Sequence, residues 1–219
     1  MTFATISYFS MATGDGWSFA HFVETERHAH ADPTRHGIFR QVFWAHHVEW
    51  ALTTPLIILN LAFLAGLSGA GIIIATVSDI IMILTGLFAA FGEHNGQKWG
   101  YYVIAWLAYL AVVYQLGVAG RRTVAAKGTA TARFFFAIGC FTVIIWTLYL
   151  VVWALGDGRK LSVDQEIICY AVLDVLLMPI FGFWLLISYA RSAEPVSVEG
   201  FWSQGLNREG AVRLDEENI

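Results

Sequence analysis

Three carboxylic acids stand inside long apolar stretches of the chain. Glu49, Asp79 and Asp174 are each surrounded in sequence by Leu, Ile, Val, Ala or aromatic residues. An ionisable side chain is costly in hydrocarbon, so acids in such stretches indicate functional sites. The chemistry that they offer is the holding of a proton or the balancing of a cation.

Two histidines precede the first of these acids. His46 stands three residues before Glu49 and therefore shares its helical face, whereas His47 points elsewhere. We expect a hydrogen bond between His46 and Glu49. Because burial disfavours a charged carboxyl, we expect Glu49 and Asp174 to be protonated at neutral pH or to share a proton with His46.

The composition indicates a multi-pass integral membrane protein. Of the 219 residues, 57% are hydrophobic and only 14% are charged, and the mean hydropathy is +0.59. These values lie outside the usual range of soluble domains. A helix needs about 20 apolar residues to cross a bilayer. We predict an all-α bundle over 1–192 with full spans at 41–66, 70–92, 98–119, 131–155 and 165–190, a partial helix over 1–12, a loop over 13–40 and a polar tail over 193–219.

Four motifs in order along the chain resemble microbial (type I) rhodopsins, the bacteriorhodopsin family. They are Trp50-Ala-Leu-Thr-Thr-Pro-Leu, Asp79-Ile-Ile-Met-Ile-Leu-Thr-Gly, Trp146-Thr-Leu-Tyr and Leu173-Asp-Val. The resemblance covers about 7–192, and Met11-Ala-Thr-Gly and Gln41-Val-Phe-Trp-Ala look like the fungal branch, which includes opsin-related proteins. It implies a seven-helix bundle whose first helix and most of the second have no counterpart here. We expect a late gene start rather than a remnant gene.

The resemblance also implies roles for the buried polar residues. It places Glu49 at the primary counterion of retinal, Asp174 at the second counterion, and Asp79 beside the ring end of retinal. His46 replaces the arginine of the family. Met178 stands where the family has the lysine that holds retinal as a Schiff base, and a thioether forms no imine.

The same comparison outlines a pocket and a proton path. Asn60 stands at the proton-donor position, where an amide exchanges no proton near neutral pH. Glu166 and Asp157 lie near the proton-release end, although carboxylates beside a loop are ordinarily solvated. Two further changes argue against an intact retinal-binding pocket. Leu150 replaces a proline of the family, and Pro179 follows Met178. The residues matching the pocket are Trp50, Thr53, Asp79, Met82, Gly86, Trp146, Tyr149 and Trp153, although aromatic side chains at such spacing also serve as core packing.

The loop predicted over 13–40 carries a second group of polar side chains. His28, His30 and Asp32, with Glu24, Glu26 and His36 nearby, could ligate a divalent metal. Their spacing matches no closed motif, so a solvated, pH-responsive loop is our interpretation, and we predict no metal site.

The substitutions at the family's lysine and arginine positions decide the predicted function. We predict an opsin-related membrane protein that does not bind retinal covalently and that acts as a light-independent scaffold or chaperone-like protein. Its expected partners are other membrane proteins or further copies of itself. The alternatives are a light-driven proton or ion transporter, a photosensor, or a sensor that binds retinal or a lipid non-covalently. The chain has no nucleophile–base pair or phosphate loop and no basic surface for nucleic acid, so we predict no enzyme. By the resemblance, the tail is cytoplasmic.

Overall fold

Six helices and one β-hairpin make up the described fold. The computed structural model describes residues 1–28, 31–125, 128–158 and 160–191, and among side chains it omits those of 23–36 and 189–191. Helix α1 covers Thr2–Thr13, and strands β1 (Ser18–His28) and β2 (Ala31–Val42) follow. Helices α2 (Trp44–Ala65) and α3 (Gly69–Ala90) come next.

The last three helices are long, and two of them contain a π-helical segment. Helix α4 comprises Asn95–Val113, a π segment Tyr114–Ala119 and Gly120–Val124. Helix α5 covers Thr129–Asp157. Helix α6 comprises Val163–Val175, a π segment Leu176–Ile180 and Phe181–Arg191. The prediction of five full spans is confirmed, because five of the described helices are long and apolar enough to cross a membrane.

Helix α2 forms the centre of the bundle. Ile58, Leu61, Ala62 and Ala65 are fully buried, and α2 contacts α1, α3, α4 and α5. Helix α2 ends at Gly66, whose positive φ of 74° closes the helix in the left-handed conformation that glycine tolerates. The turn that follows sends α3 back antiparallel, and the acids of α2 are thereby held inside the bundle.

The hairpin corrects the prediction of a loop over 13–40, within a fold that is mostly helical as predicted. Strands β1 and β2 pair antiparallel, with Phe19 opposite Gln41 and Phe22 opposite Ile38. Ala20 and Phe22 are buried while Phe19 and His21 are exposed, which is the two-residue alternation of a strand with one covered face. Because 41–42 belong to β2, the first full span begins at Trp44 rather than at 41.

The polar side chains of the loop, which we interpret as a solvated group, and the predicted tail are not structurally described. The side chains of Glu24, Glu26, His28, Asp32 and His36 fall within 23–36, and His30 and the tail 193–219 lie outside the described residues altogether. The apolar faces of the five spans point outward, as a bilayer requires. Exposed examples are Ile73, Val77, Leu107, Ile144, Phe183 and Leu186.

Candidate functional site

His46, Glu49 and Asp174 converge in the middle of the bundle and are called the central cluster below. The Nδ1 atom of His46 lies 3.7 Å from Oε2 of Glu49 and 3.8 Å from Oδ2 of Asp174. The three side chains are 2%, 0% and 5% exposed. Helix α2 supplies the histidine and glutamate from one face, and α6 supplies the aspartate from the opposite side.

The predicted hydrogen bond between His46 and Glu49 is wrong. A separation of 3.7 Å exceeds hydrogen-bonding distance. The imidazole is instead held between aromatic rings, with the Tyr8 ring edge-on at 4.9 Å and the Trp50 ring stacked at 5.2 Å between centroids. This placement leaves Nδ1 almost equally far from both carboxylates.

Asp174 is oriented by three hydrogen-bond donors from three different helices. Its Oδ2 accepts from the Tyr8 hydroxyl at 2.7 Å, and its Oδ1 accepts from the Tyr149 hydroxyl at 2.5 Å and from Trp50 Nε1 at 3.1 Å. Tyr8 was missed as a functional residue in the sequence. The signal for it was local, since the buried Ser7 and Met11 mark the inward face of α1.

Glu49 and His46 lack such donors. Both carboxylate oxygens of Glu49 and both ring nitrogens of His46 are buried and make no hydrogen bond within the described part of the chain. The hydroxyl of Ser7 is a polar neighbour of Glu49, but the two groups do not have the geometry of a hydrogen bond. A buried polar atom without a partner is unfavourable by about 1–3 kcal/mol.

An apolar cavity, called the aromatic pocket below, adjoins the central cluster. Its volume is about 70 Å³, and it is partly open to the surroundings. Trp153 stacks on Tyr102 at 4.8 Å along one wall, and Tyr102 donates to the main-chain carbonyl of Leu150 at 3.1 Å. The lining residues are His47, Trp50, Thr54, Met82, Ile83, Gly86, Tyr102, Ala105, Trp146, Tyr149, Leu150, Trp153, Tyr170 and Leu177.

Six of the eight residues matched to the family's pocket line this cavity, and two do not. Thr53 turns its hydroxyl to the main-chain carbonyl of Glu49 at 3.0 Å. Asp79 is fully buried and accepts a hydrogen bond from Thr54 at 2.6 Å. His47 faces the pocket and not the central cluster, as its sequence position predicts.

Leu150 and Pro179 do not close the pocket, contrary to the expectation from the sequence. Leu150 is part of its wall. Pro179 lies in the π segment of α6, where the wider turn accommodates a residue that lacks an N–H donor. Leu177 lines the pocket, whereas Met178 is half-buried and is not among the described lining residues.

A second group of charges, called the hairpin-side cluster, comprises Arg40, Lys98, Asp157 and Glu166. Arg40 of β2 contacts Glu166 and lies 3.4 Å from Asp157, and Lys98 also contacts Asp157. The side chain of Asp157 is 5% exposed, so the interpretation of these acids as solvated loop residues is wrong. Arg40 was missed because the hairpin that carries it was not predicted.

A smaller cavity joins the two clusters. It measures about 30 Å³ and is lined by His46 at one end and by Arg40, Asp157 and Glu166 at the other. Asn60 belongs to neither cluster, since its exposed side chain donates to the main-chain carbonyl of Leu56 at 2.7 Å. Polar groups therefore run from the centre of the bundle to its hairpin end.

A solved structure of a light-driven pump matches this fold. The light-driven proton pump LR (Mac) from Leptosphaeria maculans has a TM-score of 0.83 and 50% sequence identity, over 86% of this chain and 77% of that one. This finding overturns the predicted main function, a light-independent scaffold or chaperone-like protein, and supports the alternative of a rhodopsin transporter. The scaffold prediction depended on Met178 and His46 alone, whereas the pocket and the acids around them are present.

Two fungal opsins are similar to this chain. Opsin-1 of Neurospora crassa is 45% identical over 219 residues, covering 98% of this chain and 72% of that protein. The opsin-like protein carO of Fusarium fujikuroi is 34% identical over 193 residues, and the chain spans 61% of its length. The family model of bacteriorhodopsin-like proteins matches residues 1–192. The chain therefore belongs to the family of bacteriorhodopsin-like proteins.

Proposed function

We propose that this protein is a light-driven proton transporter whose chromophore, retinal, is held in the aromatic pocket by contacts with the pocket walls. One observation carries the proposal. Trp50 and Tyr149 line the pocket and also donate hydrogen bonds to Asp174 of the central cluster. Any change in the shape of the pocket is therefore passed through two side chains to a buried acid.

The pocket fits a long apolar ligand. Its wall is lined mainly by apolar side chains, and flat aromatic rings form much of it, as is usual for sites that bind apolar ligands. Retinal, when bound, supplies the absorption of visible light and a change of shape. Met178 supplies no amine, so the pocket walls alone provide the binding contacts and we assign no step to a covalent link.

The chain's own residues provide a route for the proton. Glu49 and Asp174 are the groups that hold it, and His46 lies within 4 Å of both. From His46 the small cavity continues to Asp157 and Glu166. An imidazole has one nitrogen that can donate a proton and one that can accept it, which suits it to a relay.

The charge of the central cluster favours a proton over an anion as the transported ion. Two carboxylic acids face each other across His46, and within the described residues no lysine or arginine contacts either of them. A chloride ion placed between two carboxylates would be repelled strongly in a setting of low dielectric constant. A proton is bound there.

The proposal places the C-terminal tail 193–219 on the cytoplasmic side. The support is the resemblance to the family, because basic residues are nearly equal in number at the two ends of the bundle. The hairpin-side cluster then lies on the opposite side of the membrane.

Purified full-length protein in liposomes, loaded with all-trans retinal, tests the proposed function. Illumination is expected to change the external pH, and a protonophore is expected to abolish the change. Replacing chloride by sulfate is expected to have no effect, because a proton is the transported ion. Folded, retinal-loaded protein that produces no light-dependent pH change would contradict the proposal, as would a change that requires chloride.

A further inference from the structure

The central cluster has the composition of a metal site as well as of a proton site. One imidazole and two carboxylates place one ligand atom each within 4.8 Å of the others. All three residues are buried, and two helices on opposite sides hold them in place. Their spacing in the sequence does not reveal this group, because Asp174 lies 125 residues after Glu49.

The histidine and the glutamate point unpaired atoms into the same space. His46 is 1% exposed, and its Nδ1 faces both carboxylates without a hydrogen bond in the described part of the chain. Both carboxylate oxygens of Glu49 are also buried and make no hydrogen bond in the described part of the chain. A bound cation would satisfy Nδ1 and one oxygen of each carboxylate together, which no neutral donor among the described residues does.

We propose that His46, Glu49 and Asp174 bind a single zinc ion. Zinc accepts mixed nitrogen and oxygen ligands and commonly uses three protein ligands with a fourth position open to water. Bonds of about 2.0–2.1 Å in a tetrahedron place ligand atoms about 3.4 Å apart. The distances of 3.7 and 3.8 Å from His46 Nδ1 to the two carboxylates need to shorten by a few tenths of an ångström. The ligand oxygens of Glu49 and Asp174, which lie within 4.8 Å of each other, need to approach by up to about 1.4 Å.

The residues around the cluster support zinc over a hydrated hard cation. Asp174 is held by Tyr8, Tyr149 and Trp50, the kind of outer contact that orients a metal-binding carboxylate. Magnesium and calcium prefer oxygen ligands and retain several waters, which this buried, histidine-containing group does not accommodate. Zinc at this position takes the place of the proton of the central cluster, because its ligands must be deprotonated, so the zinc-loaded protein does not transport protons.

An entry path for the ion is present. The cavity of about 30 Å³ reaches from His46 to Arg40, Asp157 and Glu166, so an ion entering from the hairpin end passes these ion pairs before it reaches His46. His46, Glu49 and Asp174 do not line the aromatic pocket, although Trp50 borders both cavities, so zinc binding does not require retinal. The zinc proposal is therefore tested without retinal and without light.

Zinc titration of the chelator-treated, full-length protein in detergent tests this site. Affinity is measured by competition with a chelator of known affinity, and the ligands are identified by zinc K-edge X-ray absorption. We expect one tightly bound zinc per chain, with one imidazole in its coordination shell. His46→Gln and Glu49→Gln are each expected to weaken binding at least about 100-fold, because loss of a ligand exceeds the 10–100-fold effect of losing an outer contact.

Two further variants serve as a control outside the cluster and as a variant that keeps all three ligands. His94→Gln removes an exposed histidine outside the cluster and is expected to leave the zinc affinity unchanged. Tyr8→Phe keeps all three ligands and is expected to weaken zinc binding about 10-fold, which decides the matter if the ligand variants do not fold. A wild-type protein that binds no zinc, equal affinity in His46→Gln or Tyr8→Phe, or a shell with several imidazoles from the hairpin would overturn the proposal.

Discussion

Full-length protein carrying Met178→Lys is expected to gain an absorption band, red-shifted from that of free retinal, when all-trans retinal is added. Met178 lies one turn after Asp174 in the π segment of α6. An amine introduced there can form an imine with the aldehyde of retinal, and the nearby carboxylates of Asp174 and Glu49 attract its positive charge. The change is expected to be all-or-none, because the native thioether cannot make this bond.

The matched control is Met178→Gln. It places a polar side chain of similar length at the same position but supplies no amine, so we expect no shifted band. Absorption spectra before and after borohydride treatment measure the result, since reduction makes an imine permanent. A folded Met178→Lys protein with only free-retinal absorption would show that the pocket does not present retinal to this part of α6.

Asp174→Asn is expected to reduce light-driven proton transport in liposomes to background, at least about tenfold below the wild type. The amide keeps the size of the side chain but removes the group that holds the proton. It also turns one acceptor into a donor facing Tyr8, Tyr149 or Trp50, which are themselves donors. A light-induced change in the pocket that reaches position 174 through Trp50 and Tyr149 then meets an amide, which cannot take up or release the proton.

Asn60→Ala serves as the comparison for that variant. Asn60 is exposed and bonds only to the carbonyl of its own helix, so its loss is expected to leave transport within about twofold of the wild type. The initial rate of the light-induced pH change is the measurement for both proteins. Transport by Asp174→Asn at the wild-type rate would remove Asp174 from the proton path.

The membrane helices could be predicted from the sequence because each is a long apolar run, and these runs are local. The hairpin could not be found in the same way, since Ala20 and Phe22 alternate with Phe19 and His21 over only a few residues of a charged stretch. The start of α2 was therefore placed three residues early. The missing hairpin also concealed Arg40, which bridges Asp157 and Glu166 from β2.

The members of the central cluster could be predicted from the sequence, but their geometry could not. The spacing of His46 and Glu49 correctly places both residues on one face of α2. It contains no information on Asp174 from α6, nor on the Tyr8 and Trp50 rings that hold the imidazole between the acids. Tertiary packing therefore decides the contacts that a helical spacing only permits.

Retinal binding to the wild-type protein is the measurement that tests the central claim most directly, because light-driven transport requires an occupied pocket. Quenching of tryptophan fluorescence and the induced circular dichroism of retinal both report on it. We predict saturable binding of one retinal per chain, lost in Gly86→Leu, whose side chain enters the pocket, and kept in Gly139→Leu, where an added side chain meets open space. Absence of saturable binding by the wild type, or equal binding by Gly86→Leu, would contradict the account.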